Sequence, residues 1–366
     1  FALLCARIRK LQLEKVLSQH GSAVVTGVPD GAEALVLGRM LADGAAGLRL
    51  VFVARDGAHA RSVQEALGYF APSAEVLDLP AWDCLPYDRV SPNPAIVARR
   101  LTTLARLASP EPLSAPTVLM TTANAVLQRL PSRAFATGQS WSAKPGNVIK
   151  LADLVAWLET NGFARASTVQ DTGEYAVRGG IVDVYAPGME QPVRLDFFGD
   201  TLESIRAFDA ATQRTIGSVK AFTLNAMSEV TLNDGTIARF RKNYLSLFGA
   251  STRDDALYQA VSEGRRYAGM EHWLPLFYER LETVFDYLSG FRIIFDHAAR
   301  EAAGQAAFDA CAADLARAAA ASTHLESGGA ANCAAFRACD AALRQSAATC
   351  ERLSAAVASG SPDTIA

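Results

Sequence analysis

Four short apolar runs in the first third of the chain, each set off from the next by helical periodicity, constrain the fold more than any other feature. Residues 22–28 (Ser-Ala-Val-Val-Thr-Gly-Val) read as a buried strand, and 31–44 as a helix rich in Ala, Leu and Met. Leu48 to Arg55 reads as a second strand, followed by a helix over about 57–70. A third strand (Ala74 to Leu79) and a fourth (Thr117 to Thr122) bracket a helical stretch from about Ile96 to Leu107. Apolar strands that alternate with helices form βαβ units and a parallel sheet, and such a sheet is covered on both faces. The first third is therefore expected to be an α/β domain.

The pattern changes after about residue 139. Leu151 to Asn161 reads as a short amphipathic helix closed by Gly162. Strand-like runs follow: 173–185, then Val193-Arg-Leu-Asp-Phe-Phe198, then Thr201 to Asp209, joined by a Pro/Gly turn at 186–189 and a Gly/Asp turn at 199–200. Antiparallel strands joined by such turns make a small α+β unit. Along 193–198, Val193, Leu195 and Phe197 share one face, and Arg194, Asp196 and Phe198 the other. If the first set packs inward, Phe198 and Arg194 point outward together, about 13 Å apart. An exposed aromatic beside an arginine has the composition of an interface hot spot. Arg178 precedes Gly179-Gly180, a glycine pair expected to form a bulge. The alternative stays open at this point: Phe198 in the core, and the arginines as solvated charges paired with Asp183 or Asp196. From about 226 to 300 helical periodicity returns (Ile237, Phe240, Tyr244, Phe248), ending in a strand-like Phe291-Arg-Ile-Ile-Phe295.

Beyond residue 300, 25 of 66 residues are Ala and four are Cys, with no Lys, Trp or Tyr. Little core can form from such a composition. An Ala-rich linker and a translation running out of frame compete there, and the gathering of cysteines favours the second. The absence of an initiator Met points to a fragment at the N-terminus.

Net charge is −3, so the surface as a whole is not built to grip a polyanion. Arginines outnumber lysines 29 to 6, which favours bidentate pairing with carboxylates or phosphates. No apolar run reaches the roughly 18–20 residues of a bilayer span, and a cytoplasmic location without membrane contact is expected. The six cysteines show no CxxC spacing, and His20, His59, His272, His297 and His324 have no partner at ligand spacing, so no metal site is expected. Ser91, Ser132 and Ser204 lack a nucleophile-elbow context. Arg99-Arg100 reads as a solvated helix face, and Trp82, Tyr87 and Trp273 as core or interface anchors.

A strand, a glycine turn and a helix over 22–44 would suit a phosphate cradle. The working motif needs Gly-x4-Gly-Lys-Ser/Thr, with Lys on the β/γ-phosphates and the hydroxyl on magnesium. Here Gly27 and Gly31 are one residue too close, and Ala32 and Glu33 stand where Lys and Ser/Thr belong. Asp30 and Glu33 bring negative charge to the place of a triphosphate. The loop reads as degenerate, and no catalytic residue is assigned.

Several long runs resemble transcription-repair coupling factors in their UvrB-homologous region. They are Leu79-Pro-Ala-Trp-Asp-Cys-Leu-Pro-Tyr-Asp-Arg-Val-Ser-Pro-Asn-Pro-Ala-Ile-Val-Ala-Arg-Arg-Leu101, 173–183, 193–209, 210–215 and 269–278. The resemblance covers about residues 10–300. It implies a degenerate RecA/helicase-like parallel-sheet domain (1–138), an inserted small α+β antiparallel domain that docks UvrA (139–225) and a segment completing the first domain (226–300), with 301–366 as the low-complexity tail. Arg178, Arg194 and Phe198 match the family's UvrA-binding positions. The implied role is recruitment of UvrA to stalled RNA polymerase in transcription-coupled nucleotide excision repair. The family's polymerase-binding domain and its RecG-like, ATP- and magnesium-dependent DNA translocase lie further along, so contacts with RNA polymerase and DNA, the ATP hydrolysis and the masking of the docking face are not expected of this chain. A UvrB-like ATP-dependent DNA enzyme is the rival reading. Against it stand the missing Lys and the direct run from Tyr87-Asp88 into the helix at Ile96, where UvrB carries an aromatic-rich hairpin. A non-specific DNA-binding module, a third reading, is opposed by the net charge.

Overall fold

A computed structural model describes residue 25 and residues 28–43, 47–84, 90–113, 116–138, 140–186, 189–249 and 255–299. The strand expected at 22–28, Tyr87-Asp88 and the tail 301–366 lie wholly or mostly outside the described residues. The chain divides into two units, one built from Phe1–Ala81, Pro110–Arg129 and Thr283–Ala366, the other from Trp82–Ser109 and Leu130–Glu282. Among the described residues there are twelve strands, β1–β12, and six helices of seven residues or more, α1–α6.

The first unit holds α1 (Glu33–Asp43), β1 (Arg49–Ala54), α2 (Gly57–Phe70), β2 (Glu75–Leu79), β3 (Thr117–Thr122) and β12 (Arg292–Phe295). The four strands form one sheet in the order β12-β1-β3-β2, and every pairing is parallel. The expected parallel-sheet domain is therefore present. Both faces of β1 are closed to water: Leu50, Phe52 and Ala54 pack with α1 and α2 in one cluster, while the alternate Val51 and Val53 are equally buried. Continuous burial of this kind is why these strands read as unbroken apolar runs. Asp56 caps α2 by accepting from the His59 amide at 2.8 Å.

The second unit opens with α3 (Pro94–Ala108). The helix starts two residues before the expected Ile96 because Asn93 caps it, accepting from the Ala95 amide at 2.9 Å, and Pro94 fits its first turn. Then come β4 (Ser140–Ala143), α4 (Leu151–Thr160), β5 (Ala164–Arg165), β6 (Glu174–Arg178), β7 (Ile181–Val184), β8 (Val193–Phe198), β9 (Thr201–Phe208), β10 (Thr215–Ser218), β11 (Phe222–Asn225), α5 (Asp234–Phe248) and α6 (Ala256–Ser262). Strands β10-β9-β8-β7-β6-β5 form a six-stranded sheet, antiparallel except for the short β5–β6 pair, and β4 and β11 form a separate antiparallel pair. One face of the large sheet buries Tyr175, Val182, Val184, Val193, Leu195, Leu202 and Ile205 against Leu154 and Leu158 of α4. A second cluster joins α5 and α6 through Phe240, Tyr244, Tyr258, Val261 and Phe277.

One expectation is corrected in α3. Arg99 is exposed, but Arg100 is fully buried and its Nε donates to Glu229 Oε1 at 2.6 Å. Trp82 Nε1 donates to the same oxygen at 3.0 Å. Arg100 lies on the apolar stripe shared with Val97, Leu101 and Leu104, so it turns inward with them and meets a buried carboxylate.

Candidate functional site

The face of the six-stranded sheet that turns away from α4 carries the residues singled out by alternation. On β8 the core-facing set is Val193, Leu195 and Phe197, as expected, and Phe198 is 76 % exposed. Phe198 pairs with Thr201 across the tight turn Gly199-Asp200, where Gly199 takes a φ of +58°. Thr201 is bridged in turn to Val148, itself an exposed apolar side chain. Residues directly opposite in antiparallel register share a face, so Phe198 and Val148 flank Thr201 at one edge. Val148 was not legible as part of this row, because 144–150 carries no strand alternation.

In the middle of the face, β7 pairs Asp183 with Arg194 of β8. Asp183 is fully buried and accepts from Arg194 Nε at 2.7 Å and Arg194 Nη2 at 2.9 Å, and also from Arg178 Nη2. The hydrogen bonds that Arg194 donates to Asp183 hold its pKa above its ordinary value, and the guanidinium also lies over the Phe208 ring at 4.7 Å. Arg178 is half exposed, whereas Arg194 is mostly covered. Two guanidiniums on one carboxylate leave one positive charge uncompensated. Beside them Arg206 closes on Asp196, which also accepts from Ser204 at 2.6 Å, and that pair is neutral. The structure thus brings Arg178 and Arg194 together on Asp183, and it leaves Phe198 outside that network and open to solvent.

The glycine pair beside Arg178 is corrected from a bulge to a hairpin turn. Arg178 pairs with Ile181 across Gly179-Gly180, and Gly179 takes a φ of +60°, which suits a two-residue turn. A Cβ on Gly180 would lie 2.8 Å from the Phe197 carbonyl oxygen, so the strand tip can approach β8 only without a side chain. The register shift in this region lies on β9: Asp196 pairs with Ser204 and Phe197 with Leu202, leaving Glu203 extra.

Of the expected phosphate loop, Gly27 lies outside the described residues. Asp30 and Gly31 form a turn, with Gly31 at a φ of +85°, Ala32 is buried, and Glu33 is the first residue of α1. Neither Ala32 nor Glu33 offers a cation to a phosphate. Among the other residues weighed from the sequence, Ser91 donates to Glu271 at 2.7 Å, and the His272 ring lies 3.0 Å from the Val90 carbonyl oxygen. Ser91, Ser204 and His272 are thus held in local hydrogen bonds. No helix among the described residues is long and apolar enough to cross a membrane.

Residues 142–229 match the family described as UvrB interaction domain, and the sheet, α4 and the face just described fall within them. This part of the chain is similar to that family. The chain is 35 % identical over 234 residues to the transcription-repair-coupling factor of Rickettsia bellii (strain RML369-C), covering 64 % of this chain and 20 % of the relative. It is 33 % identical over 268 residues to that of Escherichia coli (strain K12), covering 73 % and 23 %, and 35 % over 275 residues to that of Myxococcus xanthus, covering 72 % and 22 %. The resemblance carried by the long runs is thereby shown, and the chain spans about a fifth of the length of these relatives.

Proposed function

We propose that this chain is the part of a transcription-repair coupling factor that docks UvrA, and that the docking face is the one carrying Arg178, Arg194 and Phe198. In this reading it delivers the excision machinery to a stalled RNA polymerase in the cytoplasm, during transcription-coupled nucleotide excision repair. Contacts with polymerase and DNA, and ATP-driven translocation, belong to other parts of such a factor. The first unit then serves as a degenerate motor-like domain without a nucleotide of its own.

The observation that carries the reading is Phe198, exposed at the edge of a matched interaction domain beside a cluster with one positive charge in excess. An exposed aromatic adds little to folding, and aromatic and Arg anchors dominate interface energetics. The two arginines divide the work. Arg178 is open enough to meet a partner carboxylate, and Arg194 braces Asp183 and holds the cluster in place.

The test is binding of the whole chain to purified UvrA, with Phe198→Ala and Arg178→Ala alongside. Loss of a hot spot costs about 2 kcal/mol or more, so each variant is expected to bind roughly thirtyfold more weakly. Exposed side chains away from buried networks contribute within about 0.5 kcal/mol to folding, so Phe198→Ala is expected to melt with the parent. Undiminished binding by both variants would place the docking face elsewhere, and no binding by the parent would end the recruitment reading.

A further inference from the structure

In the first unit three side chains from distant parts of the sequence converge at the carboxyl ends of two neighbouring parallel strands, the edge where ligands bind in α/β sheets. Glu33 opens α1, His59 lies in the first turn of α2 just after β1, and Asp296 directly follows β12. Register fixes the last two: β1 and β12 pair in parallel, and the Asp296 amide donates to the Val53 carbonyl at 3.0 Å. His59 Nε2 lies 3.7 Å from Glu33 Oε1 and 3.9 Å from Asp296 Oδ2.

These separations are too long for hydrogen bonds, which run to about 3.2 Å. His59 Nε2 and Glu33 Oε2 are both buried and have no hydrogen-bond partner, and the His59 side chain is 8 % exposed. An imidazole nitrogen closed off from water and aimed between two carboxylates calls for an electron-pair acceptor. Zinc bonds to imidazole nitrogen and carboxylate oxygen are about 2.0–2.2 Å, so a tetrahedral ion holds its donors roughly 3.4 Å apart. The two separations from His59 exceed that spacing by only a few tenths of an ångström. The ligand atoms lie within 4.8 Å of one another.

We propose that Glu33, His59 and Asp296 form a site for a divalent cation of the zinc type, with a fourth position open to water. The surroundings fit. His297 Nδ1, 2.9 Å from Asp296 Oδ1, orients the carboxylate from behind, as supporting partners do for metal ligands. Arg55 Nη1, 3.4 Å from Asp296 Oδ2, is the competing cation, and it reaches one of the two carboxylates from a more open position. The site stands where a phosphate loop would present Ser or Thr. Glu33 in that position makes the place anionic, turning it from phosphate towards a cation. This inference is independent of the docking reading.

The experiment strips the whole chain with a chelator and titrates it with zinc chloride alone, following bound metal per chain and melting temperature. Cobalt substitution reports the ligand type. Expected are one bound ion per chain, a rise in melting temperature with metal, and a cobalt spectrum without a sulfur charge-transfer band. His59→Gln and Glu33→Gln, each checked for a native circular-dichroism spectrum, are expected to lose the ion, with a fall in affinity beyond the roughly 10–100-fold that loss of a supporting partner costs. No uptake by the parent, uptake unchanged in both variants, or a thiolate band in the cobalt spectrum would each overturn the site.

Discussion

Arg100 and Glu229 have no exposed side-chain surface, and they face each other at 2.6 Å with Trp82 donating to the same carboxylate. Removing one partner of such a pair leaves an uncompensated buried charge, which costs about 3–5 kcal/mol, whereas replacing both with apolar groups of similar size is often neutral. Glu229→Leu is therefore expected to lower the urea midpoint sharply, and the Arg100→Met, Glu229→Leu double variant to recover most of the loss. Equal loss in the single and double variants would contradict this account. The pair was hidden in the sequence because its members are 129 positions apart and Arg100 follows a second arginine that is solvated. Phe198 was legible only in part. Alternation along 193–198 set it opposite Val193, Leu195 and Phe197 but left open which set turned inward, and the structure buries that set and exposes Phe198. The question left open there, whether the arginines pair with Asp183, is answered by Arg178 and Arg194 both closing on it.

Among the elements, the β6–β7 hairpin makes the sharpest demand on sequence. Gly180 has no left-handed φ, but a side chain there would meet the Phe197 carbonyl oxygen, while Gly199 has a left-handed φ and open space around it. Gly180→Ala is expected to lower stability by about 1–3 kcal/mol through overpacking. Gly199→Asn, which suits a left-handed turn, should cost less than that. Melting of the two variants checks the order, and the reverse order would mean that the strand tip relaxes freely. Strands 117–122 and 193–198 and the helix over 57–70 fall where periodicity put them. Long apolar or alternating runs carry that signal, and two-residue strands do not. Ala164–Arg165 has no period to read, and β4 finds β11 only through a pairing some 80 residues away. The glycine pair misled because a bulge and a tight turn draw on the same residue type, and only the register of Arg178 with Ile181 separates them.

For the molecule as a whole, the parallel order of the first unit was readable from alternating strands and helices. The triad of Glu33, His59 and Asp296 was not, since scattered positions give no ligand spacing until the sheet sets β1 beside β12. If the first unit is degenerate as a nucleotide site, millimolar magnesium-ATP should leave the melting temperature unchanged. A nucleotide present at a hundred times its dissociation constant would add about 2.7 kcal/mol, and a rise of that kind would return the motor reading. The position of β12 has one more consequence, for synthesis on the ribosome. Arg55 and Asp296 meet across 241 positions, so β1 keeps one open edge while the whole of the second unit is being made. At about 5–20 residues per second, that edge waits roughly 12 to 50 seconds for its partner, an interval in which an unpaired strand invites the wrong neighbour. A nascent chain of this design has reason to need a chaperone, or a pause, before its first sheet can close.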